Sequence, residues 1–156
     1  MGLSKAEREF HRKTAVRCFN GAREYLEKKI MNDRDEERLL GLVHASRYHW
    51  GFVGTAANQA VGEWQISRAY ATLRQPDLSL PFARFCLAMC EKRALSEILC
   101  TAYEAVARAY AVAHDPRSAR EFLQKARQQL ASLSIDREDR TVYLAQIRST
   151  ERLLRE

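Results

Sequence analysis

Apolar residues recur every three or four positions along most of this chain, which is the spacing of an amphipathic α-helix. In the first segment Ala15, Phe19, Ala22, Leu26 and Ile30 fall on one helix face. Later segments keep the same period. The pattern therefore predicts an all-α protein.

Capping residues and helix breakers divide this periodic pattern into segments. Ser4 and Glu7 have the spacing of a capping box, and Asp115 before Pro116 is typical of a helix start. We expect the first helix to end at Asn32–Asp33, the second to break at Gly51–Gly54, and the fourth to carry Pro81 in its first turn. The pattern predicts seven helices, beginning near Ser4, Asp35, Thr55, Ser79, Ser96, Asp115 and either Ser134 or Asp136.

Composition agrees with a single helical domain. The chain has 156 residues, 46% of them hydrophobic, and only 6 Gly and 3 Pro. So few breakers exclude an all-β sandwich, which needs a turn about every 8–12 residues. The apolar fraction excludes a disordered chain, and no apolar run reaches the roughly 18 residues of a membrane span.

The net charge of +6 is concentrated at the N-terminus, where residues 1–31 hold eight Lys or Arg and four Glu, a net of +4. Because acids interrupt this run, we expect a solvated helix face. Nucleic acid is an unlikely partner for such a mixed surface. Binding of nucleic acid remains an alternative function, with the basic side chains of the first helix as its contacts: Lys5, Arg8, Arg12, Lys13 and Arg17.

Cysteine and histidine spacing gives no metal or cofactor motif. Cys86 and Cys90 share a helix face, but Cys90 falls on an expected core position, and His44 and His49 are too far around a helix to chelate together. We therefore expect no metal and no cofactor. With no apolar signal segment at the N-terminus, we expect a cytoplasmic protein with free thiols.

A short sequence recurs at a spacing of 40 residues. Arg68-Ala69-Tyr70-Ala71 returns as Arg108-Ala109-Tyr110-Ala111, and Pro76 returns as Pro116. The distance from the proline to the next Ala-Arg pair differs between the copies, because that pair is Ala83-Arg84 in one and Ala119-Arg120 in the other. We therefore expect four extra residues in the turn of the first copy. These recurring residues predict an internal repeat of helical hairpins.

The second copy resembles a tetratricopeptide repeat, whose paired helices carry small and large apolar residues at fixed positions. The matching residues are Tyr103, Val106, Ala107, Tyr110, Ala119, Leu123 and Ala126. In the first copy Ile66, Ser67, Tyr70, Ala83, Leu87 and Cys90 fit, whereas Glu63 stands at the aromatic position. The resemblance implies a right-handed superhelix of about seven antiparallel helices. A generic helical bundle is the alternative.

The implied organisation is one domain over residues 1–156. Residues 1–54 form an N-terminal hairpin, 55–94 and 95–132 form two repeat pairs, and 134–155 form a C-terminal capping helix. Two repeats bury too little apolar surface alone, so the flanking segments must cover their ends.

The resemblance also implies a function, because tetratricopeptide-like proteins bind extended peptides along a concave face formed by the first helix of each pair. The corresponding positions here include Trp64, Arg68, Glu104 and Arg108. Two arginines one repeat apart could hold carboxylates through paired hydrogen bonds, with Trp64 as an apolar anchor. We therefore expect a non-enzymatic module that binds an acidic or C-terminal peptide segment of a protein partner.

A second functional alternative arises from an unusual group of polar and aromatic residues. Arg47, His49, Trp50 and Gln65, with Trp64, could line a pocket for a small molecule or a substrate. No nucleophile elbow or phosphate loop is present, so we name no catalytic residue. Exposed apolar hairpin faces also make a homodimer a possible assembly.

Overall fold

A computed structural model describes residues 2–156, and every regular element in that range is an α-helix. The seven helices are α1 (Lys5–Leu26), α2 (Asp33–Val53), α3 (Ala56–Thr72), α4 (Pro76–Arg93), α5 (Ser96–Val112), α6 (Pro116–Ser132) and α7 (Arg137–Leu153). The prediction of an all-α array of seven helices is therefore confirmed.

The helices pack in two layers. Sequence neighbours form the hairpins α1–α2, α3–α4 and α5–α6, and α7 packs on α5 and α6. Contacts between α1 and α3, α3 and α5, and α5 and α7 place these four helices side by side. Within residues 2–156 the other three helices, α2, α4 and α6, make no such contacts with one another. The layer of α1, α3, α5 and α7 is the one expected to carry the binding face.

Most helix starts follow the predicted capping chemistry, although several boundaries differ by a few residues. Ser4 and Thr55 cap α1 and α3, each with a reciprocal capping box, and Asp136 caps α7. The second helix is capped by Asn32, whose side chain accepts a hydrogen bond from the backbone of Asp35. The expected end of α1 at Asn32–Asp33 was wrong, because α1 ends at Leu26.

Glycine and proline interrupt the helices less than the sequence suggested. Gly51 lies inside α2, which ends at Val53 and has Gly54 as its C-terminal cap. The fourth helix begins at Pro76, so Pro81 lies inside the helix rather than in its first turn. That expectation was wrong because Pro76 itself occupies the first helical position, where its missing N–H costs no hydrogen bond.

The turns after α3 and α5 have the same backbone conformation. Arg74 and His114 both adopt the left-handed region, with φ of 57° and 58°. The N–H of Gln75 donates to the oxygen of Tyr70, and that of Asp115 to Tyr110, at 2.9 Å in both turns. The expected four-residue insertion in the first turn is therefore wrong, and the two turns align at a constant offset of 40 residues.

Buried positions follow the same offset in the second helix of each hairpin. The buried residues of α4 are Ser79, Ala83, Cys86 and Cys90, and those of α6 are Ala119, Leu123, Ala126 and Leu130. Each member of the first set is 40 positions before its counterpart. The Ala-Arg pairs thus differ in register by one helical turn, because Ser79, not Ala83, corresponds to Ala119.

The core is built from alanine and other small residues where helices approach most closely. Ala69, Ala83, Ala107 and Ala126 have no exposed surface. Small side chains let paired helices come close together, and larger residues such as Ile66 fill the space between them. None of the helices described for residues 2–156 is long and apolar enough to cross a lipid bilayer.

Candidate functional site

A groove lies over α3, with α1 on one side and α7 on the other, and we call it the α3 groove. Its first half is a cavity of about 170 Å³. Trp64 and Arg68 of α3 form the floor, Gln146 of α7 forms one wall, and the end of α1 supplies the other. The residues from the end of α1 are Arg23, Leu26 and Glu27.

Three residues of this cavity carry buried polar atoms that lack a hydrogen-bond partner. They are Nε1 of Trp64, Nη1 of Arg68 and Oε1 of Gln146. A buried polar atom left without a partner costs about 1–3 kcal/mol, and few such atoms occur per domain. Two donors and one acceptor in this state therefore belong to residues that line one small cavity.

The Arg68 side chain also belongs to a buried ionic cluster that has too little negative charge. Its Nη1 lies 3.7 Å from Oε1 of Glu104, too far for a hydrogen bond. The same Glu104 oxygen accepts a 2.9 Å hydrogen bond from Nε of Arg108. One carboxylate therefore serves two guanidinium groups, and Arg108 holds it more tightly than Arg68 does.

This shortage of negative charge affects the protonation of Arg68. Burial and the neighbouring positive charge of Arg108 lower the pKa of the Arg68 guanidinium to about 10, and Glu104 offsets this only in part. An additional carboxylate beside Arg68 would favour its charged form. The electrostatics of the cluster thus favour an anionic group in the α3 groove.

The second half of the groove is more apolar. It is a cavity of about 250 Å³ that shares Trp64 and Gln146 with the first half. Its apolar lining comes from three helices, and the Val142 side chain is 54% exposed there. The apolar lining residues are Val61, Ile98, Val142 and Tyr143. Thr101 and Asp139 also line this half, and Glu27 accompanies the two arginines of the first. A segment lying along α3 would therefore meet a charged half with more basic than acidic groups, and then a mostly apolar half.

Two of the four residues expected on the binding face are covered by α7. Arg108 is only 7% exposed and Glu104 is fully buried. Nη2 of Arg108 donates to the backbone oxygen of Gln146, and the hydroxyl of Thr150 donates to Glu104. Glu104 and Arg108 therefore hold α7 against α5, whereas Trp64 and Arg68 line an open cavity.

The residues of the alternative pocket make separate contacts. Nε of Arg47 donates to Glu63 at 2.7 Å, and Nε2 of Gln65 donates to the backbone oxygen of Phe19. Trp50 is buried, and His49 contacts His11 of α1. A small-molecule pocket formed by these side chains stays a prediction.

Sequence reasoning missed the contributions of α1 and α7 to the groove. Arg23, Leu26 and Gln146 are far from α3 in the sequence and lie outside the repeated motif. Ile147 of α7 is buried, but the helical period of its apolar residues does not tell which helix covers it. Only the packing of α7 on α5 brings Gln146 beside Trp64.

The remaining candidate groups lie away from the groove. All four cysteines are buried and unbridged, and Cys100 donates to the backbone of Ala126. The basic residues of α1 are exposed, and Lys13 pairs with Glu9 at 2.6 Å. Binding of nucleic acid through this helix stays a prediction.

Comparisons with known proteins do not add a family. The chain matches no model of a known protein family, and no curated protein or solved structure is significantly similar to it.

Proposed function

We propose that this chain is a non-enzymatic interaction module that binds a peptide segment of a protein partner in the α3 groove. The segment places a carboxylate, from an acidic side chain or its own C-terminus, against Arg68. The observation that carries this proposal is that three residues lining one cavity, Trp64, Arg68 and Gln146, each hold a buried polar atom without a hydrogen-bond partner.

A carboxylate would suit the two donor groups, on Arg68 and Trp64, that lack a partner. One oxygen can accept from Nη1 of Arg68 and the other from the indole N–H of Trp64. Arg23 of α1 lines the same cavity and takes the role of a second arginine that we first expected of Arg108. Oε1 of Gln146 can accept a hydrogen bond from a backbone N–H of the bound segment. A free inorganic anion has no such donor.

The apolar half of the groove extends the same recognition. An apolar side chain next to the carboxylate can lie on Val142, Val61 and Ile98, with Trp64 between the two halves. Apolar burial supplies affinity and the ionic half fixes the orientation of the segment. We therefore propose a peptide with one large apolar residue and one carboxylate a few residues apart.

The architecture supports this reading through its resemblance to tetratricopeptide repeats. The two hairpins α3–α4 and α5–α6 share their turn conformation and their pattern of buried positions at an offset of 40 residues. In such arrays the first helices of the pairs form the binding layer. Here we propose that α3 is the binding helix and that α7 covers the equivalent surface of α5.

An array of random peptides, each present with a free C-terminus and with an amidated one, tests the proposal. Wild-type protein should select peptides that contain an apolar residue and a carboxylate. Arg68→Ala should lose at least about tenfold in affinity, the effect of roughly 1.4 kcal/mol. Arg12→Ala is the matched control, because Arg12 is exposed on α1 and should bind as the wild type does.

Two results would refute this function. One is a wild-type protein that selects no peptide on the array. The other is an Arg68→Ala variant, folded by circular dichroism, that selects the same peptides with the same affinity. If only amidation weakens binding, the carboxylate is a C-terminus; if only substitution of an acidic side chain does, it is internal.

A further inference from the structure

Two histidines on the two helices of the α1–α2 hairpin face each other. Nδ1 of His11 on α1 lies 2.7 Å from Nδ1 of His49 on α2. Both side chains are half-buried, so solvent and small ions reach them. This pair lies outside the α3 groove, and the proposed peptide-binding function does not use it.

Aromatic neighbours hold the two rings in place. The His11 ring stacks on Phe52, with centroids 4.2 Å apart, and Phe10 meets both imidazoles edge to face. Tyr48 meets the His49 ring edge to face. The two imidazole rings therefore pack among aromatic side chains on several sides.

From this geometry we propose that His11 and His49 form a binding site for a first-row transition-metal ion such as Ni²⁺ or Zn²⁺. Imidazole nitrogen is a preferred ligand of these ions. With bonds of about 2.0–2.1 Å, two nitrogens at a right angle lie about 2.9 Å apart, and in a tetrahedron about 3.3 Å. The observed 2.7 Å separation is close to these values, so chelation needs a shift of a few tenths of an ångström together with a rotation of the rings that turns both Nδ1 lone pairs towards the ion.

Binding does not require a net loss of protons from the pair. In the hydrogen-bonded pair one ring carries its proton on Nδ1 and the other presents a lone pair there. When an ion binds both Nδ1 atoms, the donor ring moves its proton to Nε2 through solvent, and the hydrogen bond is replaced by two metal–nitrogen bonds.

The site supplies two protein ligands and leaves the other positions to water. Within residues 2–156 no group of three or more His, Cys, Asp or Glu side chains has the geometry to hold a metal ion. The sequence did not suggest this pair, because the two histidines are 38 residues apart. The open positions would admit a further ligand from a partner or a second copy of the chain.

Isothermal titration calorimetry with Ni²⁺ and with Zn²⁺ tests this site. The wild-type protein should bind one ion per chain at pH 7.5. Changes in outer-shell partners alone weaken metal affinity by about 10- to 100-fold, so His11→Ala and His49→Ala should each raise the Kd at least tenfold. The control is His44→Ala/His114→Ala, which removes the other two histidines and should leave the affinity unchanged.

Several outcomes would overturn the proposal. These are a wild-type protein that binds neither ion, variants that bind as tightly as the wild type, and loss of binding in the His44→Ala/His114→Ala control. Because alanine at either position could disturb the hairpin, His49→Gln provides a second variant that keeps a polar side chain of similar reach. Circular dichroism confirms that each variant is folded before the titration.

Discussion

At the scale of single residues, the interior of this protein depends on a few polar side chains that pair across helices. Arg47 of α2 bonds to Glu63 of α3, and Gly62 beside them leaves the space that Arg47 occupies. A Cβ atom at Gly62 would lie 2.7 Å from Cδ of Arg47. The close passage of the arginine over α3 thus requires glycine, although the backbone there is ordinary helix.

We predict that Gly62→Ala lowers the free energy of unfolding by about 1–3 kcal/mol, because the added methyl group displaces Arg47 from Glu63. Gly41→Ala is the matched control. Gly41 is also within a helix but has nothing within 4 Å of an added Cβ, so alanine should stabilise the protein by about 0.5–1 kcal/mol. Urea unfolding measures both, and equal gains in stability would contradict the account.

Removing the charge of Glu104 should be far more costly. Glu104→Gln leaves Arg68 and Arg108 without a buried counter-charge, and breaking such a pair costs about 3–5 kcal/mol. The control is Glu121→Gln, which affects an exposed pair with Lys125 and should change stability by less than about 0.5 kcal/mol. A loss below 1 kcal/mol for Glu104→Gln would show that the cluster does not need its carboxylate.

At the scale of the helices, the central feature is α7, which both closes the core and forms one wall of the α3 groove. Ile147 of α7 is fully buried in the cluster that includes Leu123 and Leu130. Val142, one and a half turns away, is half exposed in the groove. One helix therefore carries separate residues for stability and for binding.

We predict that the two residues can be distinguished experimentally. Ile147→Ala should cost about 2–5 kcal/mol of stability, because it leaves a cavity in a packed cluster. Val142→Ala should change stability by less than about 0.5 kcal/mol and should weaken binding of array-selected peptides. Urea unfolding and peptide titration of both variants test this division. A stability loss in Val142→Ala as large as that in Ile147→Ala would contradict it.

The helices could be predicted from sequence because their signals are local. Ser4, Thr55 and Asp115 each cap a helix through atoms three residues away. The groove could not be predicted in the same way, since Gln146 reaches Trp64 only through the packing of α7 on α5. Arg68 combines a local signal with a tertiary one. The repeated Arg-Ala-Tyr-Ala motif identified it as a candidate from sequence. Its burial and incomplete pairing, however, depend on Glu104 and Arg108, which only the fold brings beside it.

At the scale of the whole molecule, histidine protonation should make stability depend on pH. The pKa of His44 is lowered by burial, with Glu63 opposing the shift in part, and that of His49 by burial and by His11. A histidine with a lowered pKa in the folded state binds protons more readily when the chain unfolds. Its contribution to stability is present above the unfolded value of 6.5 and is lost as the pH falls through the folded value.

We therefore predict that the urea midpoint decreases between pH 7.5 and pH 5.5, measured with a chelator present so that metal binding does not contribute. The decrease should be smaller in His44→Gln/His49→Gln than in the wild type. His114→Gln is the control: the His44 ring packs against Tyr70 and Phe82, whereas His114 is exposed in a turn, so this variant should keep the wild-type dependence. A urea midpoint that increases from pH 7.5 to pH 5.5 would contradict this prediction.

The most direct test of the proposed binding module follows the indole N–H of Trp64 by NMR during titration with an array-selected peptide. In the protein alone this group has no hydrogen-bond partner. We predict a saturable downfield shift of the Trp64 indole proton, with no comparable shift for buried Trp50, and loss of the effect in Arg68→Ala. A peptide that binds to saturation without moving the Trp64 indole resonance would contradict the assignment of the α3 groove.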